Sequence, residues 1–256
     1  MDRATFDYFA RSTKYVDAAD QRSGLYPFEE RALARFFPPP PARLLAHGVG
    51  AGRELLALVA AGYELEAYEP APRLAAAATQ LVAASGVRPP VVGVLSLQQW
   101  AAQQEAQGFG QSYAAVFTGW GVWAHLVGQR DRLRVLEALR RACPEGPVLL
   151  SFFSGAALFD VAEKPAVRVP LHPRFEAPPL RFTRHTLRER LFGALALERG
   201  TGWGRGFFFH LTEEWELREE AASAGYEVAY YERDLSRYPH AVLVPAGARH
   251  AANSVR

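Results

Sequence analysis

The sequence predicts an α/β protein built on one mostly parallel sheet with helices on both faces. Short apolar runs alternate with helical stretches from residue 42 to residue 153, and strands that alternate with helices form parallel sheets. A glycine-rich turn follows the first run, as is typical where a buried strand turns sharply into a helix. At 256 residues the chain suits one domain, 1–256, with a sizeable insertion.

The elements of this domain follow one another in a regular order. Within a core at 42–153, we expect strands near 42–48, 63–69, 90–96, 113–119 and 146–153. The helices between them are expected near 52–61, 71–85, 97–107 and 130–143. A last helix near 212–224 and two further strands near 226–233 and 240–246 place the end of the sheet in residues 210–246.

Two segments lie outside this alternation. Residues 1–41 are predicted to form a helical cap that ends in a proline run, which cannot continue a helix. Residues 154–209 contain five prolines, a helical stretch near 183–192 and a turn-rich stretch near 200–210. Since ligands of open α/β sheets bind beyond the carboxyl ends of the strands, we interpret the cap and the insertion as a lid over substrate. A dimerisation element or a purely structural insert is the alternative.

The turn after the first strand carries the most specific signal. Its glycines are Gly48, Gly50 and Gly52, and the second strand ends on Glu69. Glycine lets a ligand lie directly against the backbone, where a helix N-terminus points its free amides. Glu69 follows Gly52 by 17 positions, near the offset of about 20 at which a carboxylate meets a pair of ribose hydroxyls. This unit predicts a site for an adenosine-containing cofactor.

The glycine spacing separates two classes of cofactor. A dinucleotide site favours G-x-G-x-x-G, whereas here the spacing is G-x-G-x-G and Arg53 takes the place of the last glycine. The stretch 44–70 instead resembles the first motif of the class I S-adenosylmethionine-dependent methyltransferases. The stretches 113–119, 130–153 and 210–234 resemble later elements of that family, in the same order. The resemblance implies a Rossmann-like, doubly wound, seven-stranded sheet, S-adenosylmethionine as cofactor and methyl transfer as activity.

The sequence departs from that family at three places. The acid two residues before the first glycine is replaced by Ala46, the acid common in the fourth strand is replaced by Ala114, and 91–97 contains no acid for the adenine amino group. Two alternatives therefore stay open. The missing acids favour a non-catalytic relative that binds the cofactor as a module, while Arg53 argues against a nicotinamide-dependent oxidoreductase.

The resemblance places the cofactor along the tips of the first four strands. Glu69 is expected to hold the ribose, and Ser96 with backbone groups is expected to recognise adenine. Arg53 either meets the methionine carboxylate or forms an ordinary salt bridge. The predicted cofactor-binding positions are Tyr15, His47, Gly48, Gly50, Gly52, Arg53, Glu69, Pro70, Ser96, Leu97 and Gly119.

Methyl transfer is an in-line displacement, so the protein must orient the reactants, exclude water and accept a proton where needed. His125, just past the fourth strand, is the first candidate base, because an imidazole with a pKa of about 6.5 suits neutral pH. Capping a helix or hydrogen-bonding the backbone is its alternative role. His210 is the second candidate, and positioning of the following helix is its alternative role. Substrate contacts are predicted for Trp120, Trp123, His172 and Trp203, and for the tryptophans core packing is the alternative.

Composition limits the partners. The formal net charge of +2 offers no electrostatic case for nucleic acid binding. The single cysteine, Cys143, excludes an intrachain disulfide, and no Cys/His motif indicates a metal. No apolar run reaches the roughly 18 residues of a membrane span, and the first residues lack an apolar signal core. We therefore expect a cytoplasmic enzyme acting on a small molecule, without membrane contact and of undetermined oligomeric state.

Overall fold

The computed structural model describes residues 3–12, 14–110, 112–154, 191, 198, 200–204, 207–232 and 239–247. Its strands are β1 (Arg43–His47), β2 (Glu64–Tyr68), β3 (Val92–Gly93), β4 (Ala115–Thr118), β5 (Val148–Ser151), β6 (Thr201–Gly204), β7 (Phe207–His210), β8 (Tyr226–Glu232) and β9 (His240–Pro245). Seven of them form one sheet in the order β3-β2-β1-β4-β5-β9-β8, with β9 antiparallel to both neighbours. The predicted seven-stranded, mostly parallel sheet is confirmed.

The helices occupy the stretches between these strands. They are α1 (Arg3–Arg11), α2 (Ala18–Gln21), α3 (Pro27–Phe36), α4 (Arg53–Ala60), α5 (Pro72–Ala84), α6 (Leu97–Gln107), α7 (Gln129–Ala142) and α8 (Glu214–Ser223). Short 3₁₀ turns lie at Lys14–Val16 and Val122–His125. Local signals explain several starts: α3 has Pro27 in its first turn, and α6 follows Ser96, whose hydroxyl accepts a hydrogen bond from the Gln99 amide.

The core lies on both faces of the sheet, because successive side chains of a strand point to opposite faces. Leu45 belongs to a cluster with Trp100 of α6 and Leu139 of α7. Its neighbour Leu44 packs in another cluster with Leu58 of α4, among other buried side chains. The doubly wound arrangement thus follows from the alternation within β1. It leaves the carboxyl ends of β1 and β4 side by side, at the point where the strand order reverses.

The third strand is shorter than predicted. The stretch 90–96 was expected to be extended, but only Val92 and Gly93 pair with β2. Pro89 and Pro90 precede them, and proline has no N–H to donate to a strand ladder. The prolines therefore limit β3 at its N-terminal end, at the edge of the sheet.

Residues 201–204 and 207–210 form two paired strands, which we call the hairpin, where the glycines suggested a series of turns. β6 and β7 pair antiparallel, with Trp203 opposite Phe208. Gly202 leaves room for the ring of Phe209, since a Cβ at this position would clash with it. An isolated parallel bridge between Phe153 and Leu211 joins the end of the hairpin to the chain that leaves β5.

The other predicted elements agree with the structure to within a few residues. The predicted helical cap consists of α1 to α3 with a 3₁₀ turn between the first two. The helical stretch near 183–192 and His172 lie outside the described residues, apart from residue 191. The division into cap and lid stays a prediction. Among the helices that the structure describes, none combines the length and the apolarity needed to cross a membrane.

Candidate functional site

A cavity lies at the carboxyl ends of β1, β2 and β4. It encloses about 620 Å³ of space free of protein atoms, including the part that opens to solvent. The predicted site residues that line it are Tyr15, His47, Gly48, Gly50, Glu69, Pro70, Ser96, Leu97, Trp120 and His125.

Five further residues line the cavity and were not among the predicted site positions: Phe9, Leu74, Gln98, Val122 and Leu126. Gln98 and Leu126 directly follow predicted positions, so widening each motif by one residue would have found them. Phe9 comes from α1 and Leu74 from α5. No local pattern marks these two residues, because they reach the cavity through the packing of their helices.

Glu69 is fixed at the end of β2 by the glycine turn. One carboxylate oxygen accepts a hydrogen bond from the Gly50 amide at 3.0 Å, and the other accepts one from the Ala71 amide at 2.9 Å. Gly50 has a φ of +53°, and a side chain there would be strained. Each carboxylate oxygen keeps a second lone pair for a ligand hydroxyl. The carboxylate is therefore oriented before any ligand arrives.

The environment of Glu69 alters its acidity. Burial raises the pKa of this carboxyl to about 7, against the opposing effect of the two backbone hydrogen bonds. Among the described residues that line the cavity, Glu69 is the only acidic one, and none of them is Lys or Arg. The charge state of this site therefore changes close to neutral pH.

Gly52 serves packing and not the cavity. Its φ is +100°, and a Cβ on it would lie 2.8 Å from the Cα of Ala78 in α5. Gly52 does not line the cavity. The third glycine of the turn thus allows α4 and α5 to approach closely. Of the three glycines, Gly48 and Gly50 are the two that a ligand in the cavity could contact directly.

His47 forms part of the cavity lining at the end of β1. Its ring stacks on Tyr68 with centroids 4.9 Å apart and meets Trp100 edge-on at 5.4 Å. Burial lowers the pKa of this imidazole to about 3, so it is neutral at physiological pH. His47 therefore contributes a flat, uncharged surface between β1 and α6.

Ser96 and Leu97 stand at the start of α6. The Ser96 hydroxyl accepts a hydrogen bond from the Gln99 amide at 3.3 Å, and the Gln99 side chain accepts one from the Ser96 amide at 2.9 Å. This reciprocal pair is a capping box. It orients the first turn of α6 beside the cavity.

His125 sits in an aromatic environment. Its ring centroid lies 5.1 Å from that of Phe9, 5.3 Å from Phe207 and 6.2 Å from Phe153, in edge-to-face geometry in each case. These rings come from α1, β7 and the chain after β5. The imidazole thus lines the cavity at the point where the predicted cap and the predicted insertion both contact the sheet.

Trp120 has a conformation that non-glycine residues seldom adopt, with a φ of +53°. The Arg53 guanidinium carbon lies 4.9 Å from the centre of its ring and 3.9 Å from that of Tyr26. Tyr15 meets the Trp120 ring edge-on at 5.4 Å. Trp120 is thereby fixed as a wall of the cavity.

Arg53 lies behind this wall and does not line the cavity. Only 2% of its side chain is exposed, and it makes ion pairs of 2.8 Å with Glu29 and with Glu54. It also donates a 2.6 Å hydrogen bond to the Gly24 carbonyl. Of the two roles considered for Arg53, the structure places it in a buried salt bridge.

The other predicted site residues lie elsewhere. Trp123 is fully buried in the cluster beneath α6 and α7, and Trp203 pairs with Phe208 in the hairpin at 4.6 Å. Neither lines the cavity, and Gly119 and His210 do not line it either. His172 lies outside the described residues.

His210 belongs to a buried ionic cluster. Its Nε2 lies 3.0 Å from Glu216, and its Nδ1 lies 3.7 Å from Glu198. Their ligand atoms lie close enough together to hold a metal ion, but Arg132 Nη2 is already 2.6 Å from Glu198 and 2.9 Å from Glu216. Arg132 also pairs with Glu220 at 2.7 Å. The cluster joins the hairpin to α7 and α8 through a guanidinium.

Comparisons with known proteins bear on the fold. No protein-family model matches this chain, and no curated protein matches it. Among solved structures, the CcbJ methyltransferase from Streptomyces caelestis is 17% identical, with a TM-score of 0.57 over 94% of this chain and 96% of that one. The fold is that of the class I S-adenosylmethionine-dependent methyltransferases.

Two other structures extend this likeness. Magnesium protoporphyrin IX methyltransferase from Synechocystis, solved with bound SAH, is 14% identical with a TM-score of 0.56 and 95% coverage of both chains. CalS10, an amino pentose methyltransferase from Micromonospora echinaspora solved with bound SAM, is 17% identical with a TM-score of 0.53, covering 96% of this chain and 98% of that one. Near-complete coverage of both chains extends the shared fold beyond the glycine-turn core.

Proposed function

We propose that this protein binds S-adenosylmethionine in the cavity and transfers its methyl group to a small molecule. The observation that carries the proposal is Glu69, a buried carboxylate that two backbone amides orient at the end of β2, in a fold shared with methyltransferases. Two acceptor oxygens on one rigid group suit the two hydroxyls of a ribose. Gly50 also fits the cofactor, since no side chain separates its backbone from the cavity.

The lining offers a place for each part of the cofactor. Glu69 would hold the ribose, and Pro70, Leu97 and Ser96 would flank the adenine. Gly48 and Gly50 would lie against the remaining amino-acid end. The bound sulfonium supplies an electrophilic methyl group, and the protein contributes orientation and exclusion of water.

His125 is the residue we assign to proton acceptance. It lines the cavity, and the Phe9 and Phe207 rings pack edge-to-face against it. An acceptor oxygen or nitrogen that attacks the methyl group loses a proton, and a neutral imidazole can take it. The largely apolar and aromatic lining favours an uncharged, small acceptor.

The cap and the insertion are assigned to the acceptor side. Phe9 and Tyr15 of the cap line the cavity, and Phe207 of the hairpin contacts both the His125 and Phe9 rings. Phe207 does not itself line the cavity, but it packs against two rings of the lining, Phe9 and His125, that come from segments far apart in sequence. We therefore retain the interpretation of a substrate-covering lid for the described parts of both segments.

Calorimetric titration tests the proposal. We expect the protein to bind S-adenosylmethionine and S-adenosylhomocysteine and not to bind NAD. Binding of NAD without a response to either sulfur ligand would overturn the proposal. Incubation with labelled S-adenosylmethionine and a panel of phenols, alcohols and amines then tests for transfer.

A non-catalytic binding module is the second candidate. It is favoured by Ala46, which is fully buried among apolar side chains where the related enzymes carry an acid. This candidate predicts normal cofactor binding and no label in any acceptor of the panel. Label in any acceptor would exclude it.

A further inference from the structure

A buried group of three charged side chains lies behind the cavity wall, and we call it the Arg53 cluster: Glu29, Arg53 and Glu54. Each side chain is at most 2% exposed. Arg53 donates to both oxygens of Glu29 at 2.8 Å, and its Nη2 also donates to Glu54 Oε1 at 2.8 Å. The cluster ties α3 of the cap to the first turn of α4.

The charges of this cluster do not balance. Within the described residues it holds two carboxylates and one guanidinium, so it carries an excess negative charge when both acids are ionised. Glu29 is well satisfied, because it takes the two-point contact with Arg53 and also accepts the Tyr26 amide at 2.6 Å. Glu54 has weaker compensation: besides the Arg53 contact it is stabilised by its own amide and by the Trp120 side chain, and its Oε2 is buried with no partner at hydrogen-bond distance. Buried carboxylates are costly unless a cation compensates them.

Glu54 abuts the end of β4. A Cβ on Gly119 would clash with Glu54 Oε1, so the carboxylate rests directly against the backbone of Gly119. Trp120, the next residue, lines the cavity, as does Gly48, which directly follows the neighbouring strand β1. The Glu54 carboxylate therefore lies against the residue that precedes Trp120, behind the cavity wall that Trp120 forms.

The position of Glu54 matters because β1, the strand beside β4, carries Ala46 where the family that the sequence resembles carries an acid. Ala46 belongs to an apolar cluster with Leu55 and Val82. Glu69, the acid of the lining, is held by the Gly50 and Ala71 amides at the end of β2. Burial raises the pKa of Glu54 and the charge of Glu29 reinforces this, whereas Arg53, the Glu54 amide and the Trp120 side chain oppose it. A positive ligand group near Gly119 would favour the ionised form.

We infer that Glu54 is a positioning residue that stabilises the cationic end of the bound cofactor from behind the Gly119 backbone. The inference rests on the proposed function. Opposite the adenine, the cofactor carries two positive groups, an α-ammonium and a sulfonium, against one α-carboxylate. In a buried setting of low effective dielectric, a carboxylate close to either positive group attracts that group appreciably.

Three ligands and two variants test this inference by calorimetry. 5′-Methylthioadenosine has neither positive group, S-adenosylhomocysteine has the ammonium, and S-adenosylmethionine has both. We expect Glu54→Gln to weaken binding of the last two by about tenfold and to change that of methylthioadenosine by less than about twofold. Loss confined to S-adenosylmethionine would support the inference with the sulfonium as the cation. The matched control Glu29→Gln removes the other carboxylate of the cluster and should show no such selectivity.

A second variant keeps the test valid if Glu54→Gln does not fold. Gly119→Ala leaves the charges unchanged but displaces the carboxylate, so it should show the same selective loss. The inference is overturned if these variants weaken all three ligands equally or not at all, or if Glu29→Gln shows the same selectivity. Failure of the wild type to bind S-adenosylhomocysteine would instead reject the proposed function.

Discussion

The two histidines that the sequence nominates as bases lie in opposite environments. His125 lines the cavity among three phenylalanine rings, whereas His210 is fully buried between the carboxylates of Glu198 and Glu216. Both follow an apolar run in the sequence. What separates a candidate base from a structural histidine is therefore its surroundings in the fold, and not its place after a strand in the sequence.

The two regions are physically connected. Arg132 donates hydrogen bonds to the carbonyls of Leu126 and Val127, just after His125, at 3.1 and 3.0 Å. The same guanidinium pairs with the acids around His210. The ionic cluster therefore supports the loop that presents the candidate base.

The largest effect is expected at Arg132. Arg132→Leu leaves Glu198, Glu216 and Glu220 without their shared cation, and breaking a buried ion pair costs about 3–5 kcal/mol of unfolding free energy. Urea denaturation measures the change. Arg134→Leu is the matched control on the same helix, because its ion pair with Glu105 is exposed and its loss should cost less than about 1 kcal/mol. Equal losses of unfolding free energy in the two variants would mean that the buried Arg132 ion pairs stabilise the protein no more than the exposed Arg134 pair does.

The histidines themselves give the next largest effect. His125→Asn should lower kcat by about a hundredfold with an acceptor found in the panel assay, since general base catalysis contributes about that much or more. Affinity for S-adenosylhomocysteine should stay within about threefold, because the base serves the acceptor. In His210→Asn we expect a loss of stability of about 1–2 kcal/mol and no comparable fall in kcat. If His210→Asn lowered kcat and His125→Asn lowered only the stability, His210 would be the base and His125 the structural histidine.

Glu69 provides a test at the cofactor side of the cavity. Glu69→Ala should weaken S-adenosylhomocysteine binding by about thirtyfold, because it removes charge-assisted hydrogen bonds to the ribose. Titration calorimetry measures this. Glu64→Ala, at an exposed position of the same strand, is the control and should bind as the wild type does. Unchanged affinity in Glu69→Ala would mean that the ribose is held elsewhere.

The smallest effect concerns pH. Because burial raises the pKa of Glu69 to about 7, this carboxyl gains a proton as the pH falls from 8 to 6 and becomes a weaker acceptor. Affinity for methylthioadenosine, which avoids the positive groups assigned to Glu54, should fall by about fivefold over this range. Glu69→Gln should abolish the dependence.

The same pKa has a consequence for stability. A carboxyl with a pKa above its unfolded value binds more protons in the folded state, so this group's contribution is greatest below about pH 4.5 and declines as the pH rises towards 7. In urea denaturation, the wild type should therefore lose more stability than Glu69→Gln between pH 5 and pH 7.5. A parallel loss in both proteins would assign the effect to other groups.

Much of the fold was predictable because its signals are local. The alternation of apolar runs, the glycines before α4 and the proline run before β1 all act within a few residues. One exception has a local cause as well, since Pro89 and Pro90 limit the start of the edge strand. The sequence did not predict the hairpin of β6 and β7, because its glycines are typical of turns and the pairing of Trp203 with Phe208 is visible only in the structure.

The sheet, the glycine turn and the acid at the tip of β2 could be predicted from short stretches of sequence, since periodicity and backbone preference belong to short segments. Three features depend on long-range packing and are visible only in the folded chain: Arg53 is buried with Glu29, Gly52 packs helices, and His125 and not His210 lines the cavity. Arg53 lies 24 residues from Glu29, and Arg132 lies 88 from Glu220. The partner of a side chain is chosen by elements that are distant in sequence, and no local pattern contains that information.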